Sequence, residues 1–401
     1  MKPGSILFIN RVYPPVAGAT GQLLADLASG LAKEGWGVTV VTSRPTADLA
    51  PSEILGGVRV ERVGAFGWKR QGYGWRALGL LALYPALLAR ALRMPRHETV
   101  VTMTDPPLQH VLGPVLKAFT KCRLVHWAQD LYPEVAEELG VIRRGGRLAR
   151  GTRAAANRAL RSSDLIIAVG RCMKIRFIQR GLPPDNIVVL PNWDPIPPDT
   201  SCPEKKMSFK KQHGLEGHRV VMYSGNLGLA HPFGAILEAA ERLKSSLPDT
   251  RFVFVGNGPR LPQVQKQVQE RRLDNVRLLP PQSREDLRSC LSAADLHLAC
   301  MQENLSGLVV PSKVYGVLAV GRPCIFLGPP DSEAAQIIEQ HQCGSVLRPN
   351  DGKGLADCLS QWLTNPNRLT QAGQNASRAA PSFTFSRAFE RFQEILRFEG
   401  A

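Results

Sequence analysis

An α/β fold made of two doubly wound, Rossmann-like domains is what this 401-residue sequence predicts. Two observations carry the prediction. A short apolar run, Ser5–Ile9, opens into the glycine-bearing loop Pro14–Gly21 and then into a helical pattern over 22–33; the same succession recurs at Val221–Ser224, with Gly225-Asn226-Leu227-Gly228 as its loop. β-Branched and aromatic residues favour a buried strand, and glycine permits close approach of another backbone or a ligand. Apolar runs then alternate with helical ones through the second half of the chain, the pattern of a parallel sheet covered on both faces.

The elements of the first half follow in order. Leu23, Leu24, Leu27 and Leu31 recur at helical spacing, and Gly35 and Gly37 stop that helix before a strand at Val38–Thr42. Thr99–Met103 reads as a strand ending at Asp105-Pro106-Pro107, with a helix over 110–119 behind it. The strand Arg123–Trp127, with His126 inside it, ends at Asp130-Leu131-Tyr132-Pro133-Glu134. An alanine-rich helix at 148–160, a strand at 165–169, a helix at 173–179 and a short strand at 188–190 complete the set. Proline cannot donate to a central ladder, so the proline-rich run 191–198 marks a boundary.

The second half is more regular. Strands at 220–223, 251–255, 276–278, 296–299, 323–326 and 344–347 alternate with helices at 234–246, 262–272, 284–293, 313–320, 334–341 and 354–363, and a last helix covers about 385–398. The expected division is therefore a first domain at 1–194, a linker at 195–215, a second domain at 216–376, and a C-terminal segment at 377–401 that packs back on the first domain. In doubly wound sheets ligands lie beyond the carboxyl ends of the strands. Those ends carry Asp105, Asp130, Gly225, Asn226, Gly256, Asn257, Gly258, Glu303 and Ser312. The loop holding Gly18, Ala19 and Thr20 is either an ordinary tight turn or a set of N–H groups at a helix N-terminus, able to hold an anion or a sugar hydroxyl.

The formal charge is +16, and residues 1–200 hold most of it: 26 Lys and Arg less 15 Asp and Glu leaves +11. Two segments contain no acid. One, 66–96, sets Lys69, Arg70, Arg76, Arg90, Arg93 and Arg96 around the 13-residue apolar run Ala77–Ala89; the other, 143–161, holds seven arginines. A run that short cannot span a bilayer as a helix. With its basic rim and Trp68, Tyr73, Trp75 and Tyr84, it suits the interface of an anionic membrane surface, the alternative being a helix buried against the sheet. A nucleic-acid partner is not expected, because no stacking module, helix-turn-helix or finger spacing accompanies the arginines. The eight cysteines show neither CxxC nor zinc-ligand spacing, which predicts reduced thiols in a cytoplasmic compartment and no metal site. No cleavable signal peptide is read at the start of the chain.

Several of these motifs, in this order, carry a resemblance: Tyr13-Pro14-Pro15 with Gly18–Gly21, Asp130–Glu134, Pro191-Asn192-Trp193, Ser224–Gly228, Gly256–Pro259, Pro311–Tyr315 and Gly321-Arg322-Pro323. Together they resemble the bacterial family-4 glycosyltransferases of the GT-B type, and within these the N-acetylfucosaminyl transferases of surface-polysaccharide synthesis. The resemblance implies two domains facing a cleft, a UDP-sugar bound mainly by the second, and a lipid-linked saccharide on a polyprenyl diphosphate bound mainly by the first. It further implies transfer with retention of anomeric configuration at the inner face of the cell membrane. Departure of a nucleoside diphosphate leaves negative charge on the β-phosphate, so backbone N–H groups and a cation are needed there. The expected donor contacts are Gly18, Ala19, Thr20, Gly225, Asn226, Leu227, Gly228, Gly256, Asn257, Gly258 and Ser312, with Lys313 as the cation. Asp130 is the candidate acceptor-hydroxyl contact or base, with a carboxyl pKa expected near its ordinary ~4. His126 is a second catalytic candidate or else a structural ring. No cofactor is expected beyond the donor itself.

The sequence also departs from that family. Where two glutamates are usual it has Leu308 and Gly316, and where an arginine and a lysine are usual it has Asn226 and His231. Glu303 or Glu333 is then expected to hold the ribose hydroxyls. Two other readings stay open: a catalytically weak or inactive scaffold subunit at the membrane, and a sugar-nucleotide epimerase of the UDP-N-acetylglucosamine 2-epimerase type.

Overall fold

The structure, a computed structural model, describes residues 4–16, 18–64, 73–196 and 209–397. It divides into two compact units. One takes the chain up to Pro191 together with Gly307–Val309 and the chain from Phe389; the other takes Asn192–Ser306 and Val310–Ala388.

The first unit is built on strands β1 (Ser5–Ile9), β2 (Gly37–Arg44), β3 (Ser52–Leu55), β4 (Val58–Gly64), β5 (Thr99–Thr102), β6 (Arg123–Ala128), β7 (Leu165–Ala168) and β8 (Ile187–Val189). Their order is β3-β4-β2-β1-β5-β6-β7-β8, parallel throughout except for the β3–β4 pair. The helices are α1 (Ala19–Lys33), α2 (Tyr73–Leu92), α3 (Gly113–Thr120), α4 (Glu134–Glu138), α5 (Arg147–Ser162) and α6 (Arg171–Gln179). Ile6, Leu7, Phe8 and Ile9 are all buried, as a central parallel strand covered on both faces requires. The chain order reverses between β1 and β5, so the switch point of this sheet lies there.

The β3–β4 hairpin was not expected. Gly56 and Gly57 both take positive φ (58° and 82°) and make its two-residue turn, while buried Val58 and Val60 flank exposed Arg59. The run Ala77–Ala89 lies in α2, and its two faces differ. Leu83 and Leu87 are in the core with Ile9, Val41 and Leu116, whereas Leu81 is 66% exposed. Trp68, Lys69 and Arg70, the side chains of Tyr73, Trp75, Arg76 and Leu78, and residues 197–208 of the expected linker lie outside the described residues.

The second unit contains β9 (Arg219–Ser224), α7 (Gly234–Ser246), β10 (Thr250–Val255), α8 (Leu261–Glu270), β11 (Val276–Leu279), α9 (Leu287–Ser292), β12 (Leu296–Cys300), α10 (Lys313–Ala319), β13 (Cys324–Leu327), α11 (Glu333–Gln340), β14 (Gly344–Leu347), α12 (Gly352–Leu363) and α13 (Pro366–Ala379). Its sheet runs β11-β10-β9-β12-β13-β14 and is wholly parallel. The switch point falls between β9 and β12. β10 stays in register with β9 from Thr250↔Arg219 to Val255↔Ser224, but β12 meets β9 only at Leu296↔Val221 and His297↔Met222. Those two strands therefore part toward their carboxyl ends and open a crevice.

A last helix, α14 (Phe385–Arg397), carries the chain from the second unit into the first. Its amphipathic face puts Phe392 fully inside the first unit, with ring centroids 6.4 Å from Phe8 and 6.1 Å from Trp127. The Arg123 guanidinium donates to the carbonyls of Leu396 (2.7 Å) and Ile395 (3.1 Å), where the helix has carbonyls to spare and a partial negative charge.

Candidate functional site

In the second unit the loops after β9 and β12 meet across the crevice. Gln302 donates from its backbone to Ala230 O (2.9 Å) and from its side chain to Leu229 O (2.8 Å). Between them lies the Lys313 side chain, starting from the first residue of α10. Its Nζ is 3.3 Å from His231 Nε2 and 5.1 Å from the centroid of the Tyr223 ring, whose hydroxyl donates to Asn226 O (2.8 Å). Gly225, at φ 134°, provides the space: a Cβ there would come within 2.7 Å of Lys313 Cε. Burial lowers the Lys313 ammonium to about 8. Burial, then the Lys313 charge, lowers His231 to about 3. No carboxylate pairs with Lys313 among the described residues.

The backbone donors differ from expectation. Gly225 N–H is taken by Val255 O, Leu227 N–H by Asn257 O, Gly256 N–H by Leu279 O and Gly258 N–H by Asn257 Oδ1. Of the loop 225–228, this leaves the Asn226 and Gly228 N–H groups for a ligand. Gly256 and Gly258 have a packing reason to be glycine, because a Cβ would press on Gly225 O and Leu227 O respectively. Exposed Glu303 sits on the turn after β12 and buried Glu333 opens α11; Ser312 precedes α10 without capping it through its side chain. Gly316 packs on Leu291 and Pro195, a Cβ being 3.2 Å from Leu291 Cδ1, and Leu308 is buried.

Arg260 was missed by the sequence reading. It follows Gly256–Pro259, its backbone N–H is bound to Leu227 O (3.0 Å), its Nε is buried without a partner, and its charge is felt at His231. A cation directly after a glycine turn at a strand end was the available signal.

In the first unit the corresponding place is the β1/β5 switch point. Arg11 Nε and Nη2 grip Asp105 at 2.5 and 3.1 Å, and Arg11 N–H donates to Asp105 O. This is the geometry of a bidentate arginine–carboxylate pair. Asp130, just past β6, has its N–H 3.4 Å from Thr104 Oγ1. Its carboxyl is not left near its ordinary value: burial, then the Asp105 charge, push it up to about 7. His126 is 2% exposed within β6, with Nδ1 3.0 Å from Thr102 O, and its ring lies against that of His110. That placement matches a structural ring, which removes the reason to give it chemistry. At the start of α1, Gly18 serves as N-cap and brings no side chain to the first-turn N–H groups at Ala19 and Thr20.

The basic segments also need correction. Arg90, its side chain 33% exposed, pairs with buried Glu61, and Leu83 and Leu87 are core residues, so these two leucines are not available for insertion. Arg153 is tied to Glu134 and Glu137. Arg143, Arg147, Arg150, Arg158 and Arg161 are exposed, with Val141 and Leu148 exposed beside them at 66% and 65%. Among the described residues no helix is long and apolar enough to cross a membrane.

Two doubly wound units with polar side chains gathered at their switch points define a two-domain α/β architecture of the ligand-binding kind. A family model described as glycosyl transferases group 1 matches residues 205–379, and one described as a glycosyl transferase 4-like domain matches 18–193. WcaI of Escherichia coli K12, named as a colanic acid biosynthesis glycosyl transferase, is 25% identical over 96% of this chain and 98% of its own. WbjE of Pseudomonas aeruginosa, named as a glycosyltransferase, is 25% identical over 71% of each. Among solved structures, Anabaena HepE in complex with UDP superposes with a TM-score of 0.72 at 16% identity, covering 98% of this chain and 99% of that one. WaaG, a glycosyltransferase involved in lipopolysaccharide biosynthesis, gives 0.71 at 18% identity over 98% and 100%. The chain is a glycosyltransferase of the GT-B fold, related to bacterial enzymes of surface-polysaccharide biosynthesis.

Proposed function

We propose that this enzyme moves an N-acetylhexosamine or deoxy-amino sugar from a UDP-sugar to a polyprenyl-diphosphate-linked saccharide, with retention, as the N-acetylfucosaminyl transferases do. The observation that carries the donor half is the Lys313 ammonium, held in the β9/β12 crevice with a neutral ring as its polar partner and no carboxylate. A diphosphate supplies the missing counter-charge. Arg260 is a second cation for it, in place of the arginine that Asn226 replaces, and the Asn226 and Gly228 N–H groups complete the cradle. UDP as the nucleotide is supported by HepE, solved with UDP and with UDP-glucose. Glu333 and Glu303 are the candidates for the ribose, since Gly316 and Leu308 offer no carboxylate. No metal is needed in this scheme.

Asp130 contacts the acceptor hydroxyl and takes its proton. A carboxyl near 7 suits that work at neutral pH, being about half ionised and basic enough to accept. Incubation with UDP-linked amino sugars and a polyprenyl-diphosphate saccharide should give a product whose new anomeric centre, read by NMR, keeps the donor's configuration. Failure of every sugar nucleotide to react, with a folded protein, would favour a scaffold subunit.

The acceptor class implies work at the inner face of a membrane. The exposed arginines at 143–161, with Val141 and Leu148, form the surface for it, and Leu81 adds a second apolar contact. Liposome flotation should capture the protein on anionic vesicles at low salt, with attachment weakening as salt rises. No capture at low salt would point to a soluble acceptor.

A further inference from the structure

The reading of Lys313 as the donor-site cation leaves open what holds it before the donor arrives, and the inference below rests on that reading. His231 Nδ1 lies 2.6 Å from Cys300 O. A carbonyl only accepts, so Nδ1 carries the ring proton and Nε2 presents a lone pair. Nε2 is 3.3 Å from Lys313 Nζ, which as an ammonium can only donate. The bond thus has a fixed sense, from lysine to histidine, and Cys300 at the end of β12 sets it. The remaining surroundings hold the stem without satisfying the charge: the Tyr223 ring on one side and the bare Cα of Gly225 on another.

We propose that His231 is a positioning residue, which keeps the Lys313 ammonium at the mouth of the β9/β12 crevice in the donor-free enzyme and yields it to the diphosphate when the nucleotide binds. A lysine at position 231 would repel Lys313 from that place. A neutral ring with its lone pair turned toward Lys313 retains it, through a single hydrogen bond that an anion readily replaces. The ring stays neutral across the working range because burial and the charges of Lys313 and Arg260 oppose its protonation. The other titratable groups against the pair, Cys300 and Tyr223, are both pushed up by burial, Cys300 to about 12. A change in UDP affinity near pH 8 that Lys313→Met abolishes therefore reports the lysine alone.

The test is UDP titration calorimetry from pH 6.5 to 9 on wild type, Lys313→Met, His231→Asn and His231→Gln. Asn keeps a donor for Cys300 O but has no acceptor at the Nε2 position; Gln places an amide oxygen there. His231→Asn should bind UDP roughly three- to tenfold more weakly at pH 7.5, with its alkaline loss of affinity moved to lower pH, and His231→Gln should recover most of both. Wild-type affinity and an unmoved alkaline limb in His231→Asn, alongside a weakened Lys313→Met, would overturn the positioning role and leave the donor site standing. Equal binding by wild type and Lys313→Met would instead remove the donor-site reading itself. The tautomer gives a check independent of how the variants fold: nitrogen NMR of the histidine-labelled wild type should show His231 protonated at Nδ1 and bare at Nε2. The opposite tautomer would overturn the proposal.

Discussion

Asp130→Asn should lower sugar transfer by a factor of about 10² to 10⁴ while UDP binding changes little. The amide is nearly isosteric, but it cannot take a proton from the attacking hydroxyl. The same substitution should raise the melting temperature at pH 8. Asp130 is an acid whose folded pKa, about 7, stands above its unfolded value, so above pH 7 the fold carries a desolvated charge that the unfolded chain solvates freely. A residue that merely supported the loop would show loss of stability and activity together. The pH profile gives a second reading: kcat/KM should rise to a plateau above about pH 7. Asp105→Asn should move that limb to lower pH, because it removes the like charge and frees the Arg11 guanidinium that Asp105 now holds. Normal turnover in Asp130→Asn would show that the carboxylate has no part in transfer.

Acidification should destabilise the protein steeply below pH 6.5. His126 and His297 are 2% and 1% exposed, each donates to a backbone carbonyl, and burial holds both near 4. The folded-state pKa lies below the unfolded value of about 6.5, so the stability is fully present above 6.5 and is lost as pH falls toward 4. By pH 5 each ring removes about 2 kcal/mol, and the two together about 4 kcal/mol, of a total that is typically ~5–15 kcal/mol. His97, His110 and His231 are lowered by burial and act in the same direction. Asp130 acts in the opposite direction and offsets part of the loss. Urea midpoints at pH 7.5 and pH 5 measure the difference, and His297→Gln should flatten it. Equal midpoints at both pH values would contradict the burial of these rings.

The parallel sheets were legible because their strands are short apolar runs between helical ones, and every second-unit strand lies where such a run stands. The β3–β4 hairpin was readable from Gly56-Gly57 and the alternation of Val58, Arg59 and Val60, but four-residue strands are weak against the longer neighbouring patterns. α13 was readable too, since Asn365 caps it by accepting from Arg368 N–H and Pro366 is its first residue, but its buried face is Ala372, Gly373, Ala376 and Ala379 with Leu369 as its one large apolar residue, so no apolar stripe announces it. For the site, the sequence named Asp130 from its place at a strand end and Lys313 from the start of the helix after Pro311-Ser312. It could not show that Gly225 and Leu227 had already given their N–H groups to Val255 at the end of β10 and to Asn257 just beyond it, nor that Asp105 stands close enough to raise Asp130. Those depend on neighbours distant in the chain. The mixed fate of the leucines in Ala77–Ala89 has the same cause, since an apolar run does not state which of its faces meets the sheet.

The central claim is that a nucleoside diphosphate is held at the β9/β12 switch point by Lys313. Titration of UDP into the wild type and Lys313→Ala by calorimetry at pH 7 tests it most directly. Loss of a charge-assisted contact predicts binding weaker by about 1.5–3 kcal/mol, roughly ten- to 150-fold. Unchanged affinity in the folded variant would contradict the claim.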